Sequence, residues 1–259
     1  MTIRLSTGAR NGIANGLGVQ GMFNKGYIKI FSGSQPASAD AAETGTNLGI
    51  VSISSGSLTK ETRATGSITL TGGASGSVNT VTVGGLNIIP DGAVNYNTSL
   101  SQTASDLCDA INRNGMMEAT VSGAVVTLKG RPGTGVTTAA VSSTLTTVTA
   151  SYVNMGSGVA GVAPVNGLVL GPAASGVIAK PAAAVWSFAG INGTATAGWF
   201  RFYSSDTADS GGLLSGAPWY PRIDGSIAVS GADLNLSNIS IATASANTID
   251  AFSITMPAV

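Results

Sequence analysis

Glycine is the residue that most constrains how this chain can fold. The 259 residues include 36 glycines, which divide the sequence into short runs rich in Val, Ile, Leu and Thr. Glycine weakens a helix by about 1 kcal/mol relative to alanine, whereas short apolar runs between turn residues are typical of strands. Examples are YIKIF (27–31), LGIVSI (48–53) and AGWFRFY (197–203). We therefore predict a mainly β protein that contains a β-sandwich or β-barrel domain.

One segment in the middle of the chain has the pattern of an amphipathic helix instead. Its apolar positions are Leu100, Ala104, Leu107, Cys108 and Ile111. This spacing predicts a helix over 101–112. Ser99 or Ser101 can cap its start, and Gly115 can end it. Cys108 lies on the apolar stripe, so we expect it in a core rather than as a nucleophile.

The segment around this helix predicts a small domain of its own. Strand-like runs precede the helix at 67–71 and 78–83, and the sequence EATVSGAVVTLKG (118–130) follows as a hairpin. We place the turn of that hairpin at Ser122-Gly123. The order β-β-α-β-β predicts an α+β domain with the helix on one face of a single sheet, over residues 62–161.

The remaining strands are divided between the two ends of the chain. Those before residue 61 are too few to bury a core alone. We therefore expect residues 25–61 and 162–259 to form one discontinuous β-sandwich domain, into which the α+β domain is inserted. Insertion at an exposed loop costs little entropy. The charged sequence KETR (60–63) would then be a solvated connection, and two domains in series are the alternative.

The first 24 residues read as an N-terminal arm. Gly8, Gly12 and Gly16 are spaced by four, which on a helix would form a flat strip for close packing. Glycine is also a poor helix former. Two interpretations remain open at this point: a flexible arm, or an arm that becomes ordered against a partner.

The composition excludes several kinds of function. Lys and Arg total 12, as do Asp and Glu, so the net charge is zero and no basic footprint for nucleic acid exists. One cysteine and no histidine exclude zinc sites and histidine-dependent catalysis. No phosphate-binding motif, signal peptide or membrane-length apolar run is present. We expect no catalytic residue, cofactor or metal, no membrane association, and synthesis in a cytoplasm. Low charge favours a subunit that stays assembled.

The carboxylates offer two weak candidates for chemistry. Asp206 and Asp209 lie in the loop SSDTADSGG (204–212), where oxygen ligands for calcium could gather, but no bidentate glutamate follows. We interpret this loop as solvated. Paired carboxylates of a glycoside hydrolase would leave no local motif. The three glutamates of the chain are Glu43, Glu61 and Glu118.

Four residues are candidates for partner contacts. Trp219 and Tyr220 lie between two prolines in a loop-like segment, where aromatic side chains can anchor a partner or cover the end of a sandwich. Arg4 and Arg10, in the N-terminal arm, are the other two candidates.

Several segments resemble a family of small tailed-phage proteins. They are IKIFSGSQPASADAAETGTNLG (28–49), GWFRFYSSD (198–206), DGSIAVSGADLNLSNISI (224–241) and FSITMP (252–257). The relatives carry these two halves close together, without the middle. The middle resembles modules found in phage tail and other virion proteins. The glycine-rich N-terminus departs from the family, whose members look more helical there.

The resemblance implies a structural protein of a phage virion and not an enzyme. We expect a capsid decoration (cement) protein that stabilises the head. A neck, head–tail or tail accessory protein is one alternative, and a virion-borne adhesin or glycan-binding module is another. The expected partners are further copies of the chain, with a trimer favoured, and the major capsid protein or other virion proteins.

Overall fold

The chain folds into two compact units. The computed structural model describes residues 3–14, 16–133, 138–207, 209 and 220–255. We call Met1–Glu61 with Pro164–Val259 the split unit, and Thr62–Ala163 the middle unit. The expected bounds of the inserted domain, 62 and 161, lie within two residues of the bounds of the middle unit. The protein is mainly β, as predicted from its glycine-divided sequence.

Short strands dominate both units. The split unit begins with β1 (Arg4–Leu5), α1 (Thr7–Ala14), α2 (Val19–Phe23), β2 (Tyr27–Ser32) and β3 (Asn47–Ile53). The middle unit contains β4 (Thr65–Gly72), β5 (Ser77–Val83), β6 (Leu86–Asn87), β7 (Val94–Asn95), α3 (Leu100–Asn114), β8 (Glu118–Ser122), β9 (Val125–Lys129), β10 (Val141–Thr146) and β11 (Thr149–Val153). The split unit continues with β12 (Val177–Ala179), β13 (Trp186–Ala189), β14 (Ala195–Tyr203), β15 (Arg222–Ala228), β16 (Leu234–Asn235), β17 (Ser240–Ile241), β18 (Ala246–Ile249) and β19 (Ser253–Thr255).

The split unit is built on a nine-stranded sheet. Its main order is β1-β15-β14-β2-β3-β13-β18, with β16 paired to β15 and β17 paired to β14. Only the β15–β16 pairing is parallel among those described in this sheet. Strands β12 and β19 form a separate antiparallel pair. Because β2 and β3 lie between β14 and β13, the sheet requires strands from both ends of the chain.

One face of this sheet carries the apolar core of the split unit. Ile28 and Ile30 on β2 and Phe200 and Phe202 on β14 are fully buried there, at alternate positions of their strands. Phe252 packs against both phenylalanines, with ring centroids 5.9 and 5.8 Å away. Burying a side chain of this size contributes about 1.5–3 kcal/mol.

The N-terminal segment belongs to the split unit, in contrast to the separate arm expected from the sequence. Strand β1 pairs with β15. The Asp40 carboxylate accepts hydrogen bonds from the backbone N–H of Thr7 at 2.9 and 3.0 Å, which fixes the start of α1. A Cβ at Gly12 would lie 2.3 Å from Met22 Sδ, so glycine allows α1 and α2 to pack closely. Phe23 is fully buried in the core. The glycines thus serve packing within the chain.

The middle unit contains two four-stranded sheets where the sequence predicted one. The first has the order β10-β5-β6 with β7 also paired to β5, and the second has the order β11-β4-β9-β8. The two sheets are separate because β4 pairs with β9 and β5 pairs with β6 and β7, and strands β10 and β11 then add one strand to each sheet. Their sequences are rich in Ser and Thr, so local apolar alternation is weak.

Helix α3 confirms the predicted amphipathic segment. Ser99 caps it, since its Oγ accepts a hydrogen bond from Gln102 N at 3.1 Å, and Gly115 ends it with a left-handed φ of 62°. The buried side chains of α3 are Thr103, Ala104, Leu107, Cys108 and Ile111. The hairpin after it turns at Gly123 and Ala124, one residue later than predicted. Within the described ranges, no helix combines the length and the apolar character needed to cross a membrane.

Two charges of the sequence at 60–63 are buried and its other two residues are half-buried, so its interpretation as a solvated connection was wrong. Glu61 and Arg63 are each only 2% exposed. In the split unit, Ser205 Oγ donates to Glu61 Oε2 at 2.7 Å. In the middle unit, Arg63 Nη1 lies 2.6 Å from Glu118 Oε2. Glu61 thus accepts a hydrogen bond and Arg63 contacts a carboxylate, and such contacts are needed because a buried charge without a partner is costly.

We predict that Leu107→Ala destabilises the middle unit by about 2–5 kcal/mol, because Leu107 is fully buried against the sheet and the change leaves a cavity. The exposed Asp109 on the same helix is the matched control, and Asp109→Ala should change stability by less than about 0.5 kcal/mol. Urea unfolding followed by far-ultraviolet circular dichroism measures both. Equal effects of the two substitutions would contradict the assigned face of α3.

Candidate functional site

The second face of the nine-stranded sheet carries charged and aromatic side chains. They are Tyr27, Lys29 and Phe31 on β2, Trp199, Arg201 and Tyr203 on β14, and Arg222 and Asp224 on β15. We call this set the charged–aromatic layer. Cross-strand neighbours stack in it: the rings of Tyr27 and Tyr203 lie 5.0 Å apart at 11°, and those of Phe31 and Trp199 lie 4.3 Å apart at 13°. At β2, β14 and β15 the sheet is therefore largely buried on both faces.

Arg201 and Asp224 form the central ion pair of the layer. Arg201 Nε and Nη2 donate to the two oxygens of Asp224 at 2.6 and 2.7 Å, and both side chains are fully buried. Arg201 Nη1 donates to the Ala41 carbonyl at 2.9 Å. Desolvation acts to lower the pKa of Arg201, but the hydrogen bonds and charge of Asp224 raise it above its usual value. The guanidinium also lies 5.4 Å from the centre of the Trp199 ring.

A second buried ion pair joins Arg222 to Asp209. Arg222 Nη2 donates to Asp209 Oδ1 at 2.7 Å, and Nε lies 3.1 and 3.2 Å from the two carboxylate oxygens. The phenol of Tyr27 donates to the backbone carbonyl of Asp209 at 3.4 Å. The guanidinium of Arg222 lies 5.9 Å from the ring centre of Tyr203. Both ion pairs thus sit beside aromatic rings.

The layer becomes partly accessible near Glu43. Lys29 Nζ lies 2.6 Å from Glu43 Oε1, and the Tyr203 hydroxyl donates to the same oxygen. Lys60 Nζ lies 4.6 Å above the ring centre of Tyr27. Burial, followed by the charge of Lys29, lowers the pKa of Lys60. These groups form the edge at which the layer meets the protein surface.

The chemistry of the layer favours stability. Burial raises the pKa of Tyr27 and of Tyr203, so both phenols stay protonated at neutral pH. The carboxylates of Glu43, Asp209 and Asp224 each contact a lysine or an arginine. Burial raises the pKa of Asp224 despite the opposing hydrogen bonds and charge of Arg201, so the ion pair offsets a desolvation cost.

An apolar groove opens beside the accessible edge of the layer. Its volume is about 460 Å³, and its apolar lining comes from Ile50, Leu58, Phe188 and Ile191. Ile50 and Ile191 are 36% and 37% exposed. Three serines, Lys60, Gly56 and Ala189 complete the lining. This feature, which we call the Ile50 groove, is a candidate contact surface of the split unit.

Three of the four sequence-based contact candidates lie within the described residues. Trp219 lies outside the described residues, and Tyr220 is half-buried. Arg4 and Arg10 line a common depression of about 270 Å³. Arg4 Nη1 donates to a backbone carbonyl, and Arg10 Nη2 donates to Thr7 Oγ1 at 2.9 Å. The structure thus brings together the two arginines.

The carboxylate candidates are structural groups in this fold. Asp206 and Asp209 are 2% and 0% exposed, so the interpretation of their loop as solvated was wrong. The three glutamates lie in different places, Glu43 near Lys29, Glu61 near Ser205 and Glu118 near Arg63. Across the described residues, no group of three or more His, Cys, Asp or Glu side chains is arranged to hold a metal ion.

Sequence reasoning missed the charged–aromatic layer. A signal for it was present, because Lys29 and Arg201 lie between apolar or aromatic neighbours inside their strands, and Asp224 follows an isoleucine in β15. A charge in the middle of such a strand can face solvent or a buried partner, and strand pattern does not distinguish the two.

Comparisons of the chain with protein-family models, curated proteins and solved structures found no match.

We predict that Arg201→Met destabilises the split unit by about 3–5 kcal/mol, because it leaves the buried Asp224 without its cation. Arg10→Met, at an exposed arginine, is the control and should change stability by less than about 0.5 kcal/mol. Residues 62–163 contain no tryptophan, and Trp186 and Trp199 are buried in the split unit, so tryptophan fluorescence during urea unfolding reports on it.

The double variant Arg201→Met/Asp224→Leu tests whether the charge or the packing is responsible. Apolar replacement of both partners of a buried ion pair is often neutral or stabilising. The double variant should therefore be more stable than Arg201→Met alone. A double variant that is less stable than either single variant would contradict the role given to the unpaired carboxylate.

Proposed function

We propose that the chain is a structural protein of a bacteriophage virion, a capsid decoration (cement) protein that stabilises the head. The observation that carries this proposal is the distribution of polar groups in the split unit. Arg201, Asp224, Arg222 and Asp209 neutralise one another in its interior, while the Ile50 groove presents apolar side chains at its surface. Such a subunit is suited to binding and stabilising a larger assembly.

The segments that resemble phage proteins supply much of the charged–aromatic layer, which supports the proposed role in a virion. Residues 28–49 supply most of β2, part of β3 and the loop that carries Ala41 and Glu43. Residues 198–206 supply Arg201, and residues 224–241 begin with its partner Asp224. The resemblance therefore involves the residues that give the split unit its second buried face.

The proposed partners are further copies of the chain and the major capsid protein or another virion protein. A closed trimer would suit the local three-fold axes of an icosahedral shell. In the Ile50 groove, Ile50 and Ile191 would receive an apolar side chain of the shell, and Lys60 could pair with a neighbouring carboxylate. A protein that binds only the assembled shell stabilises it by mass action.

The proposal predicts that particles lacking this protein still assemble but release their DNA at a lower temperature. Adding back purified wild-type protein should restore heat resistance. Ile50→Asp, which places a charge in the groove, should bind particles weakly and restore little. Val229→Asp is the matched control, because Val229 is 60% exposed and does not line the groove. Circular dichroism melting of the free variants verifies that both are folded.

Two outcomes would overturn the proposal. Particles that lack the protein, keep wild-type heat resistance and fail to attach to cells would favour an adhesin. Copy number, measured by densitometry of purified particles, separates the remaining candidates. A decoration protein should be present in hundreds of copies, whereas a neck or tail accessory protein would be present in a single small ring.

A further inference from the structure

The middle unit contains a polar groove that is separate from the surface proposed to contact the virion. It lies between α3 and the segment 89–97, which includes β7, and has a volume of about 430 Å³. Small-molecule sites typically measure about 300–1,000 Å³. Its lining includes seven polar side chains: Asp91, Asn95, Tyr96, Asn97, Asp106, Arg113 and Asn114.

Asp106 is held in place as a hydrogen-bond acceptor at this groove. Its Oδ2 accepts from Asn97 Nδ2 at 2.8 Å, and its Oδ1 accepts from Gln102 Nε2 at 2.9 Å. These two hydrogen bonds lower the pKa of Asp106, so it is ionised at neutral pH. A carboxylate offers about four acceptor positions in all. Two amide donors therefore orient Asp106 and leave it capacity to bind ligand hydroxyls.

Tyr96 adds an aromatic surface to the same groove. Its hydroxyl donates to the Thr98 carbonyl at 3.1 Å, and its ring packs against the core of the middle unit. The ring is therefore fixed before any ligand arrives, which lowers the entropy cost of binding. On the helix side, Asn114 Nδ2 donates to the Ala110 carbonyl at 2.9 Å, which orients its amide.

We propose that this groove binds a neutral saccharide. Carboxylate and amide groups can accept from and donate to adjacent sugar hydroxyls, while an aromatic ring can pack against the apolar C–H face of a sugar. Asp91 and Asp106 carry two negative charges against the one positive charge of Arg113. This balance disfavours acidic sugars and phosphates. The site belongs to the middle unit alone, so it does not depend on the decoration role.

The first test is a titration of the full chain with four sugars, followed by ¹H–¹⁵N correlation spectra. The probes are methyl α-mannoside, methyl β-galactoside and N-acetylglucosamine, with sialic acid as the acidic comparison. At least one neutral probe at millimolar concentration should shift amides of residues 89–97 and 106–114, whereas sialic acid should not. Absence of localised shifts with every neutral sugar, or stronger shifts with sialic acid, would overturn the proposal.

Two variants test whether the groove is the binding site. Ala93→Trp fills it from an exposed loop position, and Asp106→Ala removes the acceptor. Each should weaken binding about tenfold or more. Ala74→Trp, at an exposed loop alanine that does not line the groove, is the matched control and should bind like wild type.

Asp106→Ala removes hydrogen bonds to Asn97 and Gln102 and so could disturb the start of α3. Ala93→Trp removes no hydrogen bond, so it tests occupancy of the groove independently of this effect. Sugar binding unchanged by Ala93→Trp, or lost equally in Ala74→Trp, would show that the ligand does not occupy the groove.

Discussion

The ion pair between Arg201 and Asp224 is the interaction on which the split unit depends. The two residues face each other on β14 and β15, and both are fully buried. A shift of one residue along either strand would turn a charged side chain into the apolar core, where its desolvation would be uncompensated. The pair therefore specifies the register of β14 against β15. Hydrophobic burial alone would specify this register less strictly, because both faces of the sheet are covered at these two strands.

The same layer of charges holds the long loop between β2 and β3 against the sheet. Arg201 donates to the Ala41 carbonyl, while Lys29 and Tyr203 contact Glu43. This loop consists largely of small residues, whose burial contributes little hydrophobic free energy. Polar contacts from the strands therefore take the place of side-chain packing. Only 9% of the residues are charged, and several of these charges lie inside strands, where they hold this loop against the sheet.

How far the sequence predicted the structure depended on the distance between interacting residues. Helix α3 and its ends at Ser99 and Gly115 were predicted, because the apolar stripe and the two capping residues all lie within one short segment of the sequence. Strands β10 and β11 were missed because their sequences, rich in Ser and Thr, have little strand pattern of their own. They are strands because they pair with β5 and β4. Glu61 meets Ser205 across 144 residues, and Arg201 meets Ala41 across 160. A local sequence pattern does not show partners that are so distant in the chain, so the buried charges of Glu61 and Asp209 were interpreted as solvated.

The two units use their polar side chains in opposite ways. In the split unit the carboxylates Asp209 and Asp224 are neutralised by arginines and removed from solvent. In the middle unit Asp106 is held by neutral amides at an open groove, so it keeps its charge and part of its acceptor capacity. The middle unit thus presents a polar surface, in contrast to the apolar Ile50 groove of the split unit. Substitutions at Asp106 should therefore leave intact the strand register that Arg201 and Asp224 maintain.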